Sequence, residues 1–108
     1  MTEMLVVLTT CGSAEEAERV ARGLVEARLA ACAAITPGTR SFYHWQGSLE
    51  QSEEWSLTIK TRRDLFDRIA AELRRLHSYT TPELVALPVV AGGADYLEWM
   101  ERELAPPN

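Results

Sequence analysis

Cysteine, histidine and lysine are scarce in this chain of 108 residues, which has two, two and one of them. Cys11 and Cys32 are too few for a disulfide framework and are not spaced as a C-x-x-C pair, so they read as separate thiols suited to a reducing compartment. There is no basic surplus either. Sixteen acidic side chains face eleven basic ones, for a formal charge of -5, which excludes the phosphate neutralisation on which nucleic-acid binding draws. The longest apolar runs, Leu29 to Ile35 and Leu84 to Ala91, fall well short of the roughly 18 residues needed to cross a bilayer. Glu3 stands where a signal peptide would carry positive charge. Nucleophile elbow, Walker loop, H-E-x-x-H and dinucleotide fingerprint are all missing, so no enzyme chemistry is expected. These absences together predict a cytoplasmic, non-enzymatic protein with neither nucleic acid nor membrane as partner.

What is present suits one globular domain over 1–108, with 46% hydrophobic and 25% charged residues. The β-branched run from Met4 to Thr10 predicts a central strand. Ser13 and Glu16 form a capping box that opens a helix, whose Ala17, Val20, Ala21, Leu24 and Val25 recur at helical spacing. A second strand is expected from Ala31 to Thr36, interrupted at Pro37-Gly38 by a bulge and resumed from Arg40 to Trp45. After a turn at Gln46-Gly47-Ser48, Trp55, Leu57 and Ile59 alternate with polar residues as a one-faced strand does. Thr61 and Asp64 are candidate caps for a helix carrying Leu65, Ile69, Leu73 and Leu76. Glu83 to Ala91, with Pro88 inside it, reads as an edge strand, and a short third helix begins near Asp95. The order βαββαβ plus a terminal helix predicts an α+β, ferredoxin-like fold: a four-stranded antiparallel sheet, a long central hairpin and a C-terminal helix.

The two middle strands are far longer than the usual five or six residues, and at about 3.3 Å per residue each reaches roughly 40 Å. Such a hairpin overhangs a small domain, and Phe42, Tyr43, Trp45 and Trp55 lie toward its far end. Two covers are open: a second copy of the chain across an oligomer interface, with His44 among the interfacial side chains, or the chain's own third helix through Tyr96 and Trp99.

Several strings resemble one family when taken together: Ala30-Ala31-Cys32-Ala33, Pro37-Gly38, Tyr43-His44-Trp45-Gln46-Gly47, Ile59-Lys60-Thr61, His77-Ser78-Tyr79-Thr80-Thr81-Pro82-Glu83 and Tyr96-Leu97-Glu98-Trp99. In order and spacing they are similar to the CutA divalent-cation tolerance family over essentially the whole chain. The resemblance implies a ferredoxin-like subunit in a tight homotrimer, similar in build to the PII signalling proteins, with a role in tolerance of copper and other divalent metals. Some members have metal ligands assigned as a cysteine near the end of the first strand and two adjacent histidines before the Tyr-x-x-Pro-Glu string. Here that cysteine position reads as Thr9, with Cys11 two residues on, and His77 follows Leu76 in place of a second histidine.

Thiolate and imidazole ligate copper and zinc, so Cys11, Cys32 and His77 are the candidate metal ligands. Cys11 and Cys32 are expected at opposite ends of the sheet, too far apart for one intrachain ion. Cys32, between alanines, reads as a small buried hydrophobe, and Cys11 reads either as turn packing beside Gly12 or as a thiol whose pKa the nearby helix N-terminus would lower. His77, at a helix end, has the last carbonyls as alternative partners. Lys60, Tyr79 and Glu83 are the candidates for a ligand cleft between subunits, where a PII-like trimer would hold a small anion.

Overall fold

The computed structural model describes residues 2–107 and has the predicted topology. Strand β1 (Met4–Cys11) leads into helix α1 (Ala14–Glu26), and strands β2 (Cys32–Trp45) and β3 (Ser48–Arg62) form the long hairpin. Helix α2 (Phe66–Leu76), strand β4 (Val85–Pro88) and helix α3 (Ala94–Glu103) follow. The sheet order is β2-β3-β1-β4 with every neighbouring pair antiparallel, so β1 and β3 are central and both prolines fall on edges.

Local chemistry explains the element boundaries. Ser13 Oγ accepts from the Glu16 amide at 3.1 Å, as an N-cap should. The Glu16 carboxylate, however, accepts from Gly12 N–H rather than from the cap residue itself. The register of β2 on β3 slips between Thr36 and Thr39, so Pro37-Gly38 is the expected bulge, with Gly38 at φ 82°. Gln46 and Gly47 both take positive φ between the paired Trp45 and Ser48, which is the two-residue turn whose twist matches a hairpin.

Two expectations about boundaries need correction. Thr61 is no helix cap: it is fully buried at the end of β3, where its hydroxyl donates to Leu29 C=O, and a 3-10 turn, Arg63–Leu65, intervenes before α2. Asp64 accepts from Arg62 Nε at 2.6 Å. The last strand is also shorter than its apolar run: the ladder on β1 covers Val85–Pro88, and beyond it only a single bond from Val89 N–H to Met4 C=O at 3.0 Å is seen on β1 among the described residues.

Alternation sorts the sheet into two faces. Leu5, Val7, Thr9 and Cys11 of β1 share a face with Leu57 and Ile59 of β3, and α1 and α2 cover it with Val20, Leu24, Ile69 and Leu73. The opposite, open face carries Val6, Leu8 and Thr10 beside Lys60, Thr58 and Ser56, with Val85 and Leu87 from β4. Met100 and Leu104 of α3 complete the core, and buried Arg62 ties that helix down by donating to Glu101 and to Ala105 C=O. The molecule measures 45 × 25 × 22 Å, its length set by the hairpin.

Candidate functional site

Three of the chain's rarer groups meet where β1 ends, α1 begins and α2 stops. Ligand atoms of Cys11, Glu16 and His77 lie within 4.8 Å of one another, and all three residues are buried. Cys11 and His77 were expected as metal candidates. Glu16, read only as a capping residue, is the member that sequence reasoning missed; its signal was a carboxylate in the first helical turn one step from a thiol.

The group is closed by hydrogen bonds. His77 Nδ1 accepts from Tyr79 N–H at 3.0 Å, so its Nε2 carries the proton and donates to Thr10 C=O at 2.6 Å. The ring is thus anchored on β1, not on the helix carbonyls that its position suggested. Glu16 accepts from Gly12 N–H with one oxygen and from Ser78 N–H with the other, at 2.7 Å. Burial by itself would raise the Glu16 pKa, but the bonds from Ser78 and Gly12 and the neighbouring His77 outweigh it and hold the carboxyl below its usual value.

Of the two readings of Cys11, the structure favours turn packing over a reactive thiol. Burial, reinforced by the negative charges of Glu16 and Glu54, pushes the thiol up to about 12 despite the nearby helix N-terminus. A neutral thiol, an imidazole with both nitrogens occupied and a carboxylate with both oxygens occupied are not a ready-made cage for a resident ion. Their standing role is mechanical, since they pin the segment after α2 to the end of β1.

That segment forms one wall of a cleft of about 660 Å³, whose other wall is the open side of the hairpin. Tyr43, Trp45 and Glu50 line the hairpin side, and Tyr79 and Glu83 line the loop side. Glu54 bridges the two by accepting from Ser41 Oγ at 2.7 Å and from Tyr79 Oη at 2.9 Å. Burial and the Glu54 carboxylate together raise the Tyr79 phenol's pKa above its ordinary value. Gly12 makes room for this contact, because a Cβ there would lie 3.0 Å from Tyr79 Oη.

Other expected members lie elsewhere. Lys60 is paired with Val6 and Cys32, six residues along β3 from Glu54 or about 20 Å, and its Nζ reaches Tyr96 Oη at 3.4 Å. It does not line this cleft, so within the subunit Tyr79 and Glu83 come together without it. Cys32 is half-buried on the open face, not a core residue, and it is separated from Cys11 by five positions of β3 and by the sheet itself. Trp55 packs partly buried against the core, whereas Phe42, Tyr43 and Trp45 are exposed. Tyr96 and Trp99 stack on each other beside Lys60.

A ferredoxin-like chain with an overhanging hairpin, an acid-lined cleft and a buried Cys–Glu–His junction defines a class of small α+β protein. Residues 5–103 match the family described as CutA1 divalent ion tolerance protein, and the chain belongs to that family. It is 45% identical to the divalent-cation tolerance protein CutA of Thermus thermophilus, over 90% of this chain and 94% of the relative. A solved Thermus thermophilus structure of that kind superposes with a TM-score of 0.92 at 42% identity, covering 94% of this chain and 99% of the other. A structure described as the periplasmic divalent cation tolerance protein CutA of Archaeoglobus fulgidus gives 0.90 at 38% identity, covering 93% and 97%.

Proposed function

We propose that the protein is a non-enzymatic, cytoplasmic homotrimer that serves divalent-metal tolerance, with copper among its ions, by binding them weakly and exchangeably. The observation that carries the reading is the uncovered half of the hairpin. Phe42 is 61% exposed, Trp45 53% and Leu49 69%, and the open sheet face adds Val85 and Leu87. Apolar surface of this kind, continuous with an edge strand that has free backbone groups, is buried most simply against copies of the same chain. The metal ion is cargo in this reading. Cys11, Glu16 and His77 take it in exchange for the hydrogen bonds that now occupy them, and that exchange is the reason binding is weak. Two unbridged thiols suit a reducing compartment.

Sedimentation equilibrium tests the assembly: the expected mass is three times the 12.1 kDa chain, and Trp45→Asp is expected to reduce it to one. A folded wild-type monomer at micromolar concentration overturns the assembly. Copper and zinc calorimetry on wild type, Cys11→Ser and His77→Ala tests the cargo site, and heat that survives both substitutions unchanged places binding elsewhere. Cell fractionation checks the compartment.

A further inference from the structure

The open face of the sheet carries charges of opposite sign that the chain itself does not match. Side-chain alternation gives that face two basic groups from the four strands, Lys60 and Arg62. Arg62 is paired with Asp64 and Glu101. Lys60 is partly buried, and among the described residues the polar contact of its ammonium is Tyr96, 3.4 Å to the hydroxyl and 5.5 Å to the ring centre, with no carboxylate in ion-pair contact. The acidic counterpart is the cleft beside the hairpin. Glu50, Glu54 and Glu83 line it without a basic side chain, and Glu54 is only 6% exposed. Ser41 and Tyr79 donate hydrogen bonds to Glu54 but leave its charge unbalanced.

These groups cannot pair within one chain, because six residues of β3, about 20 Å, separate Lys60 from Glu54. Between chains they can. A cyclic assembly joins one surface of each copy to a different surface of the next, so a patch and its complement on the same chain meet across the interface. The hairpin wall of the cleft belongs to the surface that the trimer reading buries, and a copy that buries it without bringing a cation would seal Glu54 among carboxylates. Arg22, Arg68 and Arg74 lie on the helices behind the sheet, and Arg40 pairs in register with Glu53 on the other side of the hairpin. Lys60 is the basic group of the open face left to supply the cation.

Resting on that trimer reading, we propose that Lys60 of one copy completes the cleft of the next, its ammonium set among Glu50, Glu54 and Glu83 and its flexible stem carried over from Tyr96. The assembled cleft is then an ion-paired joint rather than a ligand pocket, and each joint takes one residue from a neighbour. Because the surface that gives Lys60 meets a surface of opposite charge, the pairing sets the head-to-tail order in which copies join, and like surfaces repel.

Subunit exchange tests the joint: isotope-labelled and unlabelled full chains are mixed, and native mass spectrometry follows the appearance of mixed assemblies. Lys60→Glu and Glu83→Lys are each expected to speed exchange by at least about tenfold. The double reversal, Lys60→Glu with Glu83→Lys in one chain, is expected to return to within about threefold of wild type, although Lys60 lies outside the cleft that Glu83 lines in its own subunit. Lys60 is partly and Glu83 fully exposed, so both reversals are expected to keep the wild-type circular dichroism. Should one unfold the chain, Lys60→Met and Glu83→Gln decide instead, each expected to speed exchange by about threefold or more. Exchange unchanged in the Lys60 variants, or a double reversal no slower than the faster single one, overturns the pairing while a mass of three chains leaves the trimer standing. A wild-type chain that sediments as a folded monomer overturns the trimer reading and the pairing with it.

Discussion

Strand β3 passes through two environments in fifteen residues. From Trp55 to Arg62 it pairs with β1 under the helices, and Leu57, Ile59 and Thr61 are buried on alternate positions. From Ser48 to Glu53 none of its residues is buried, although the backbone pairing with β2 resumes after the Pro37-Gly38 bulge and runs on to Ser48. Backbone hydrogen bonds alone therefore extend a ribbon well past the core, while side-chain burial stops where the helix layer stops. The covered half carries core residues, and the uncovered half leaves its side chains at the surface.

The contrast is open to direct test, and the largest effect falls in the covered half. Ile59→Ala removes a fully buried side chain and is expected to cost about 3 kcal/mol of unfolding free energy, while Leu49→Ala, ten residues earlier on the same strand, stays within about 0.5 kcal/mol for the isolated subunit. Urea melts at low protein concentration measure both. Comparable losses would mean that the ribbon belongs to the subunit's own core.

The junction at the boundary between the halves should give an intermediate effect. Glu16→Ala leaves the amides of Gly12 and Ser78 without their acceptor and is expected to cost about 2 kcal/mol. Because folding depresses the Glu16 pKa, its contribution is complete above the unfolded value of about 4.3 and fades as pH falls through the lower folded value. Wild type should therefore lose more stability than Glu16→Ala between about pH 5 and pH 3, as acid melts would show. Parallel pH profiles would remove Glu16 as the anchor.

The smallest effect tests the one loose end in the covered half. Thr9 is buried, and its hydroxyl is the one buried side-chain polar atom without a hydrogen-bond partner among the described residues. Replacing it by the isosteric Val is expected to stabilise by up to about 1 kcal/mol, read as a rise in the thermal midpoint. A fall of similar size would mean that the hydroxyl has a partner in solution, such as an ordered water.

Much of the fold was legible from local pattern. The period-2 run through Leu57 and Ile59, the helical stripes through Leu24 and Leu73, the Ser13 cap and the bulge at Pro37-Gly38 each depend on chemistry within a few residues and appear where the pattern put them, whereas Val25, expected on the first stripe, is exposed and Leu76, expected on the second, is only partly buried. Strand order followed too, because only the edges tolerate Pro37 and Pro88. The site was legible only in part. Cys11, His77, Tyr79 and Glu83 were singled out for their types, but whether they meet depends on which face and which end of the sheet each occupies.

Tertiary structure alone decided the rest, since proximity and desolvation are properties of packing, not of neighbours in the chain. It brought Glu16 against His77 across 61 positions, removed Lys60 from the cleft by six strand residues, and turned Trp55 inward while Phe42 and Trp45 stayed out. It also decided between the two readings of Cys11. A helix N-terminus nearby in sequence favours the thiolate, but burial beside two carboxylates, visible only in three dimensions, disfavours it more strongly.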